Sequence, residues 1–278
     1  MKAALSSVLK HHKKVLYPII LISGNSTHMP HWLRSLNNSR NALVLMHQLS
    51  FSTRIKKFNE GLSQDPKFLR IDIPVVINDV RQHISPQISA QYDFALYTDT
   101  DVIFTEHFRL ESLGKPAVIM IGPEMAAKSK ANSGILYMNL RAMGEHYTPL
   151  LDFADSKKWE FDAVDQGLIL SYFNSHGSEL LPDDYNWKPY WGVSKTASII
   201  HFHGAKPGVG AECFAVNSEN YRMCNIPAYE AVSTYIYNMY NISFQTQSAS
   251  YAHYLALYYH YQSIFEVKVN QFKFRHEG

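Results

Sequence analysis

Asp99-Thr100-Asp101 follows the apolar run Phe94-Ala95-Leu96-Tyr97, so two carboxylates stand where a buried strand surfaces. Side chains alternate across a strand, which puts Asp99 and Asp101 on one face and Thr100 on the other. Paired carboxylate oxygens suit a hard divalent cation such as Mg2+ or Mn2+, which in turn bridges to phosphate oxygens. The chemistry expected of the pair is metal-assisted work on a diphosphate. A second group lies downstream in His201-Phe202-His203-Gly204-Ala205-Lys206-Pro207-Gly208. Alternation puts its two histidines on one strand face, and a glycine-containing loop then delivers Lys206. Imidazole completes a carboxylate-bound Mn2+ site, and the lysine ammonium neutralises phosphate oxygens.

Both groups need a scaffold that brings strand ends together. Apolar runs at 15–23, 42–48, 70–76, 93–104, 117–121, 135–139 and 198–203 read as strands, and an amphipathic stretch at 29–36 reads as a helix. The runs are short, continuous and rich in Ile, Leu and Val, as strands covered on both faces are. The expected class is α/β, a mostly parallel central sheet flanked by helices. Ligands of such sheets bind outside the carboxyl ends of the strands. Asp99 and Asp101 lie at that edge, as do Gly24 and Asn25 after the first strand and Gly204 after a late one. No Gly-x-Gly-x-x-Gly or Gly-x-x-x-x-Gly-Lys-Ser/Thr segment occurs, which argues against the usual dinucleotide and P-loop sites.

The 278 residues suit one large domain or a domain with a sizeable appendage, and 46% hydrophobic residues supply its core. A formal charge of +2, with no basic stripe, argues against a nucleic-acid partner. The two cysteines, Cys213 and Cys224, are close enough for one bridge but read as reduced thiols. Asn25, Asn37 and Asn241 head Asn-x-Ser/Thr triplets; a glycan at Asn25 would obstruct the strand edge, and all three read as chance matches. Lys10, Lys13 and Lys14 interrupt the amino-terminal apolar stretch, and 15–23 is far below the ~20 residues of a membrane span. No targeting or membrane segment is expected in this chain.

The motifs resemble a known family: the retaining nucleotide-sugar glycosyltransferases of the glycogenin and bacterial galactosyltransferase type, glycosyltransferase family 8, with the Rossmann-like GT-A fold. Tyr97-Thr98-Asp99-Thr100-Asp101-Val102 resembles its aspartate motif, and His201-Phe202-x-Gly204-x-Lys206-Pro207 its carboxy-terminal signature. Between them, in family order, come Asn132-Ser133-Gly134, Asp165-Gln166-Gly167 and Leu181-Pro182 with Tyr185-Asn186.

The resemblance implies that Asp99, Asp101 and His201 hold Mn2+ or Mg2+, with His203 the alternative imidazole on the shared face. It implies that Lys206 and the Gly204 backbone hold the diphosphate of a UDP-sugar donor. Gly24, Asn25, Thr100 and Asn132 are further candidates around the donor, and Arg81 takes the place of an upstream basic residue that contacts nucleotide or motif. On the far face of the sugar it points to Gln166, as weak nucleophile or electrostatic partner, with front-side attack guided by the leaving diphosphate as the other route. Asp165 and Asp162 are expected near sugar hydroxyls, and Asn132 and Asn186 near donor sugar or acceptor. Two departures stand out. Gly208 follows Lys-Pro where the family has an aromatic residue, and the 23–28 turn lacks the family's nucleobase-embracing pattern.

Past about residue 215 the resemblance ends, and tyrosines crowd a stretch that reads as helices with aromatic packing faces. The expected organisation is a catalytic domain over 1–215 and a Tyr-rich helical extension over 216–278 packed on it. The expected activity is metal-dependent, retaining transfer of glucose or galactose from a UDP-sugar to a hydroxyl of a glycan, protein or small molecule. The alternative is a catalytically silent sugar-nucleotide or glycan-binding module. The expected compartment is the cytoplasm, with the Golgi lumen as alternative if an anchor is missing from this chain.

Overall fold

A computed structural model describes residues 1–12, 18–23, 32–34, 43–63, 65–81, 93–124, 130–208, 210–215 and 226–276. Gly24 and Asn25 lie outside these, as does the side chain of Arg81. In chain order the helices are α1 (Lys2–His11), α2 (Ser52–Lys56), α3 (Ile73–Arg81), α4 (Leu140–Ser156), α5 (Asp165–Phe173), α6 (Ala211–Ala215), α7 (Ile226–Tyr240) and α8 (Phe244–His276). The strands are β1 (Ile19–Ser23), β2 (Leu43–His47), β3 (Phe94–Thr98), β4 (Val102–Phe104), β5 (Ile119–Glu124), β6 (Lys130–Asn139), β7 (Ser178–Leu180) and β8 (Ile199–His201).

The α/β class, the flanking helices and the helical carboxy-terminal segment are those expected. Pairing is mixed: β1–β2 and β5–β7 run parallel, whereas β3–β6, β5–β6 and β4–β8 run antiparallel. The physical reason at β5–β6 is the connection over 125–129, since a parallel return needs a crossover of about a dozen residues or more. The expected strand at 93–104 is broken into β3 and β4 by residues 99–101, so the aspartates sit in the break and not at a terminus.

One expected strand is not a strand. The run 70–76 belongs to a 3-10 turn over Pro66–Asp72 that continues into α3. Asp65 starts it: its side chain accepts from the Lys67 amide, and Pro66 occupies the first helical position, where a missing N–H costs nothing. Cys213 also departs from expectation, being disulfide-bonded and not a reduced thiol; the other cysteine of the sequence, Cys224, lies outside the described residues.

Buried side chains of β5, β6, α4 and α5 form one core with Phe51, Phe68 and Trp159. A second core joins Ile200 and Phe202 to Tyr251, Tyr254 and Tyr261 of α8. Those tyrosines do the packing that the sequence assigned to the helical stretch, and they hold the segment carrying His201 from behind. Among the described residues no helix is long and apolar enough to cross a membrane.

Candidate functional site

Two ladders converge on the break between β3 and β4. Thr98 is paired with Ile135, and the Asp99 amide donates to the Gly134 carbonyl at 2.8 Å, which holds Asp99 over β6. Val102 is paired with His201, and the Phe202 amide donates to the Asp101 carbonyl at 2.9 Å, which draws β8 onto Asp101. In this arrangement one ligand atom each from Asp99, Asp101 and His201 lies within 4.8 Å of the others. His201 Nε2 stands 3.8 Å from Asp99 Oδ2 and 3.7 Å from Asp101 Oδ1.

Sequence reading placed Asp101 at an exposed strand end, but both its side-chain oxygens are buried and accept no hydrogen bond. Apart from Lys206 Nζ, 2.6 Å from Oδ2, these oxygens have no hydrogen-bond partner among the described residues, and a divalent cation would add to the compensation that buried carboxylate oxygens need. His201 is also fully buried, and burial, followed by the fields of Lys188, His203 and Lys206, holds its pKa well below the usual histidine value. Its ring is therefore neutral. Asn186 Nδ2 donates to the Pro123 carbonyl at 3.1 Å, which turns Asn186 Oδ1 toward His201 Nδ1 at 2.9 Å. Nδ1 must carry the proton and donate, leaving the Nε2 lone pair facing the carboxylates. Two carboxylates and one neutral imidazole are a donor set that fits Mn2+.

His203 does not join this set. β8 ends at His201, so strand alternation stops before reaching it. Its Nδ1 instead lies 3.3 Å from the Tyr190 hydroxyl and 3.9 Å from Glu124 Oε2. Thr100 is an exposed turn residue. Gly204 is also exposed, with φ of 90° in the loop that carries Lys206. Lys206 Nζ stands 2.6 Å from Asp101 Oδ2.

Of the other expected residues, Asn132, Asp165 and Gln166 line the same cleft. Asp165 and Gln166 open α5, immediately after Ala163 and Val164, whose positive φ values of 55° and 56° mark a strained turn. Gln166 Oε1 accepts from the Ser133 amide at 3.1 Å and from Asn132 Nδ2 at 3.2 Å. Asn132 Oδ1 accepts from the Gly134 amide at 3.1 Å. Asn132 and Asn186 thus order the site from within, whereas Asp162 is exposed on the approach to α5. A cavity of about 1280 Å3 opens here, with Asp99, Asp101, Asn132, Gln166 and Lys206 on its polar wall and Ile19, Leu21, Ile73 and Val76 on its apolar one.

Arg70 is the residue that sequence reading missed. Its guanidinium stacks 4.7 Å from the Tyr97 ring centre and donates to Asp99 Oδ1 at 3.1 Å and to the Ser133 carbonyl at 2.6 Å. Its Nε lies 3.0 Å from Asp165 Oδ2. One buried cation thereby fastens β3, β6 and α5 together. Burial raises the Asp165 pKa to about 6, against the pull of Arg70 and with a push from Asp99; two carboxylates share this one guanidinium. The signal was present in Asp65-Pro66, a helix start that turns the run after it away from strand geometry.

A scan against protein-family models finds no match, and a search of curated proteins finds none. Among solved structures, the glycosyltransferase GlyE of Streptococcus pneumoniae TIGR4 superposes with a TM-score of 0.52 at 17% identity, over 74% of this chain and 52% of GlyE. Its apo form gives 0.51 at 17%, over the same shares. An active-site mutant of LgtC gives 0.49 at 13%, over 89% of this chain and 94% of LgtC. This chain thus spans about half the length of GlyE. What it shares with that glycosyltransferase is the fold, and at the strand ends of that fold this chain sets two carboxylates against a neutral imidazole.

Proposed function

We propose that this chain is a metal-dependent glycosyltransferase of the family 8, GT-A type, which moves a glucose or galactose unit from a UDP-sugar to a hydroxyl acceptor with retention at the anomeric carbon. The observation that carries the reading is the convergence of Asp99, Asp101 and His201 within 4.8 Å, with the two aspartates on the cavity wall that Gln166 and Lys206 also line and His201 buried behind them. Asp99, Asp101 and His201 would hold Mn2+ or Mg2+, and the bound ion supplies positive charge to the diphosphate as the leaving oxygen becomes an anion.

The chain's own groups account for the rest. Lys206, on a flexible stem, is in reach of a diphosphate beside Asp101 and would neutralise it, favouring the transition state in which its charge grows. Gln166 cannot readily attack the sugar, because the Ser133 amide and Asn132 Nδ2 already occupy its carbonyl oxygen. Its Nε2 is left as a donor for a sugar hydroxyl. This favours the front-side route: the acceptor oxygen bonds to the anomeric carbon on the face the diphosphate leaves, and the acceptor proton passes to the departing phosphate oxygen.

We read 1–215 as the catalytic unit and 216–278 as a helical extension packed on it. A disulfide at Cys213 favours an oxidising compartment, so of the two locations considered the Golgi lumen is the better supported. The test is a panel of nucleotide sugars assayed for Mn2+-dependent donor hydrolysis, with the anomer of the product determined. Asp101→Asn removes one ligand charge and should abolish turnover while the protein stays folded. Near-normal turnover in that variant refutes the reading, and UDP binding without turnover of any donor identifies a silent binding module instead.

A further inference from the structure

Asp99 and Asp101 are neutralised in different ways. The partner of Asp99 is Arg70, a buried guanidinium locked by the Ser133 carbonyl and the Tyr97 ring. The partner of Asp101 is Lys206, whose ammonium sits 2.6 Å from Asp101 Oδ2 while 55% of its side chain is exposed. One counter-charge is immobile and the other is tethered on a solvated four-carbon stem. The loop beneath Lys206 is pinned even though its side chain is not. The Lys206 carbonyl accepts from the Ala211 amide at 3.1 Å. Glu212 accepts from the Gly208 amide at 2.7 Å and from the Tyr259 hydroxyl of α8. These bonds tie the backbone at and just after Lys206 to α6 and α8 and leave the solvated stem as the part with room to move.

We propose that Lys206 is a resident counter-cation of the free site, held on Asp101 until a divalent ion displaces it, whereupon its ammonium turns to the incoming diphosphate. This rests on the reading of Asp99, Asp101 and His201 as a cation site. The physical case is that Asp101, whose buried oxygens have no other hydrogen-bond partner among the described residues, is in ion-pair contact with the Lys206 ammonium, and a doubly charged ion at the same carboxylate would face that ammonium across a few ångströms. Charges of +1 and +2 at ~6 Å repel, even in water, by enough to change an equilibrium about tenfold. A diphosphate removes the conflict by giving the ammonium a second anion to pair with. Ion and diphosphate then bind cooperatively through a residue of the protein, beyond the chelation that Mn2+ and UDP show in solution, because each relieves a cost imposed on the other.

The experiment measures Mn2+ binding to the free protein by water-proton relaxation, with no nucleotide present, and then UDP binding at saturating Mn2+ by calorimetry. Lys206→Met should bind Mn2+ alone about tenfold tighter than the parent and bind UDP about tenfold more weakly, while Lys206→Arg, which keeps the charge, should follow the parent in the first measurement. Lys206→Gln serves if the methionine variant fails to fold. Equal or weaker Mn2+ binding by the charge-removed variant overturns the proposal. Absence of Mn2+ binding in parent and variant alike overturns it together with the metal reading. A tenfold tightening in a protein that turns over no nucleotide sugar upholds the counter-cation and rejects the transferase.

Discussion

Gly134 offers the sharpest test of the packing behind the ligand set. It sits in β6 between β3 and β5, so the strand is held on both edges. A Cβ at this position would lie 2.3 Å from His201 Cε1, 2.9 Å from Asn132 Oδ1 and 3.0 Å from Asp99 Oδ2. Carbon atoms in contact want about 3.5–4.0 Å, so the imidazole would have to retreat by more than an ångström. It has little room to do so, being fully buried and bonded to Asn186 on its far side. Overpacking of this kind costs roughly 1–3 kcal/mol, which for a chain of this size lowers the melting temperature by roughly 2–5 °C. Because the displaced atoms include two of the three ligands, Gly134→Ala should also weaken Mn2+ binding at least about tenfold. Gly144→Ala is the control: it lies within α4 with nothing inside 4 Å of its added Cβ, and helix propensity predicts a gain of up to about 1 kcal/mol. Thermal melts and Mn2+ titrations of the two variants, side by side, decide the matter. A Gly134→Ala protein that melts and binds Mn2+ like the parent would show that the close approach of β6 to His201 is wrong.

Arg70→Met leaves the Asp99 and Asp165 carboxylates without their shared cation, and breaking a buried pair costs about 3–5 kcal/mol; urea denaturation should show that loss, and a change below about 1 kcal/mol would remove Arg70 as the fastener of the site. Lys188 is the second buried cation, fully enclosed, donating to the Pro123 and Asn186 carbonyls at 3.2 and 3.0 Å. Burial lowers its pKa to about 7. From pH 7 toward the ordinary lysine value the unfolded chain therefore holds more protons than the folded one, and unfolding free energy should rise with pH across that window. The rise amounts to a few kcal/mol, at about 1.36 kcal/mol per unit. Lys188→Met should flatten that slope in denaturant titrations between pH 7 and 10, and an unchanged slope would place the titration elsewhere.

The aspartates and the segment from His201 to Lys206 stood out as polar residues where an apolar run surfaces, the edge at which ligands of such folds bind, whereas Asn132 and Gln166 were singled out through the family resemblance of their short motifs. Arg70 was not, because a run such as Arg70-Ile71-Asp72-Ile73 satisfies strand alternation as well as it satisfies a helix. Only the Asp65-Pro66 start decides between them. The choice of His201 over His203 was hidden for a different reason: alternation treats them alike, and what separates them is the point at which β8 stops pairing with β4.

Periodicity and local chemistry determined the α/β class, the tyrosine-packed helical end and the chemical character of the polar residues, since these depend on neighbours within a few positions. Burial, protonation and partnership were decided by tertiary contacts. Asp101 became buried, Lys188 lost its solvent, Asn186 took charge of an imidazole proton and Arg70 reached across residues 29 and 95 positions away. Those properties follow from desolvation and from distances between strands and helices remote in sequence, quantities that no local pattern encodes.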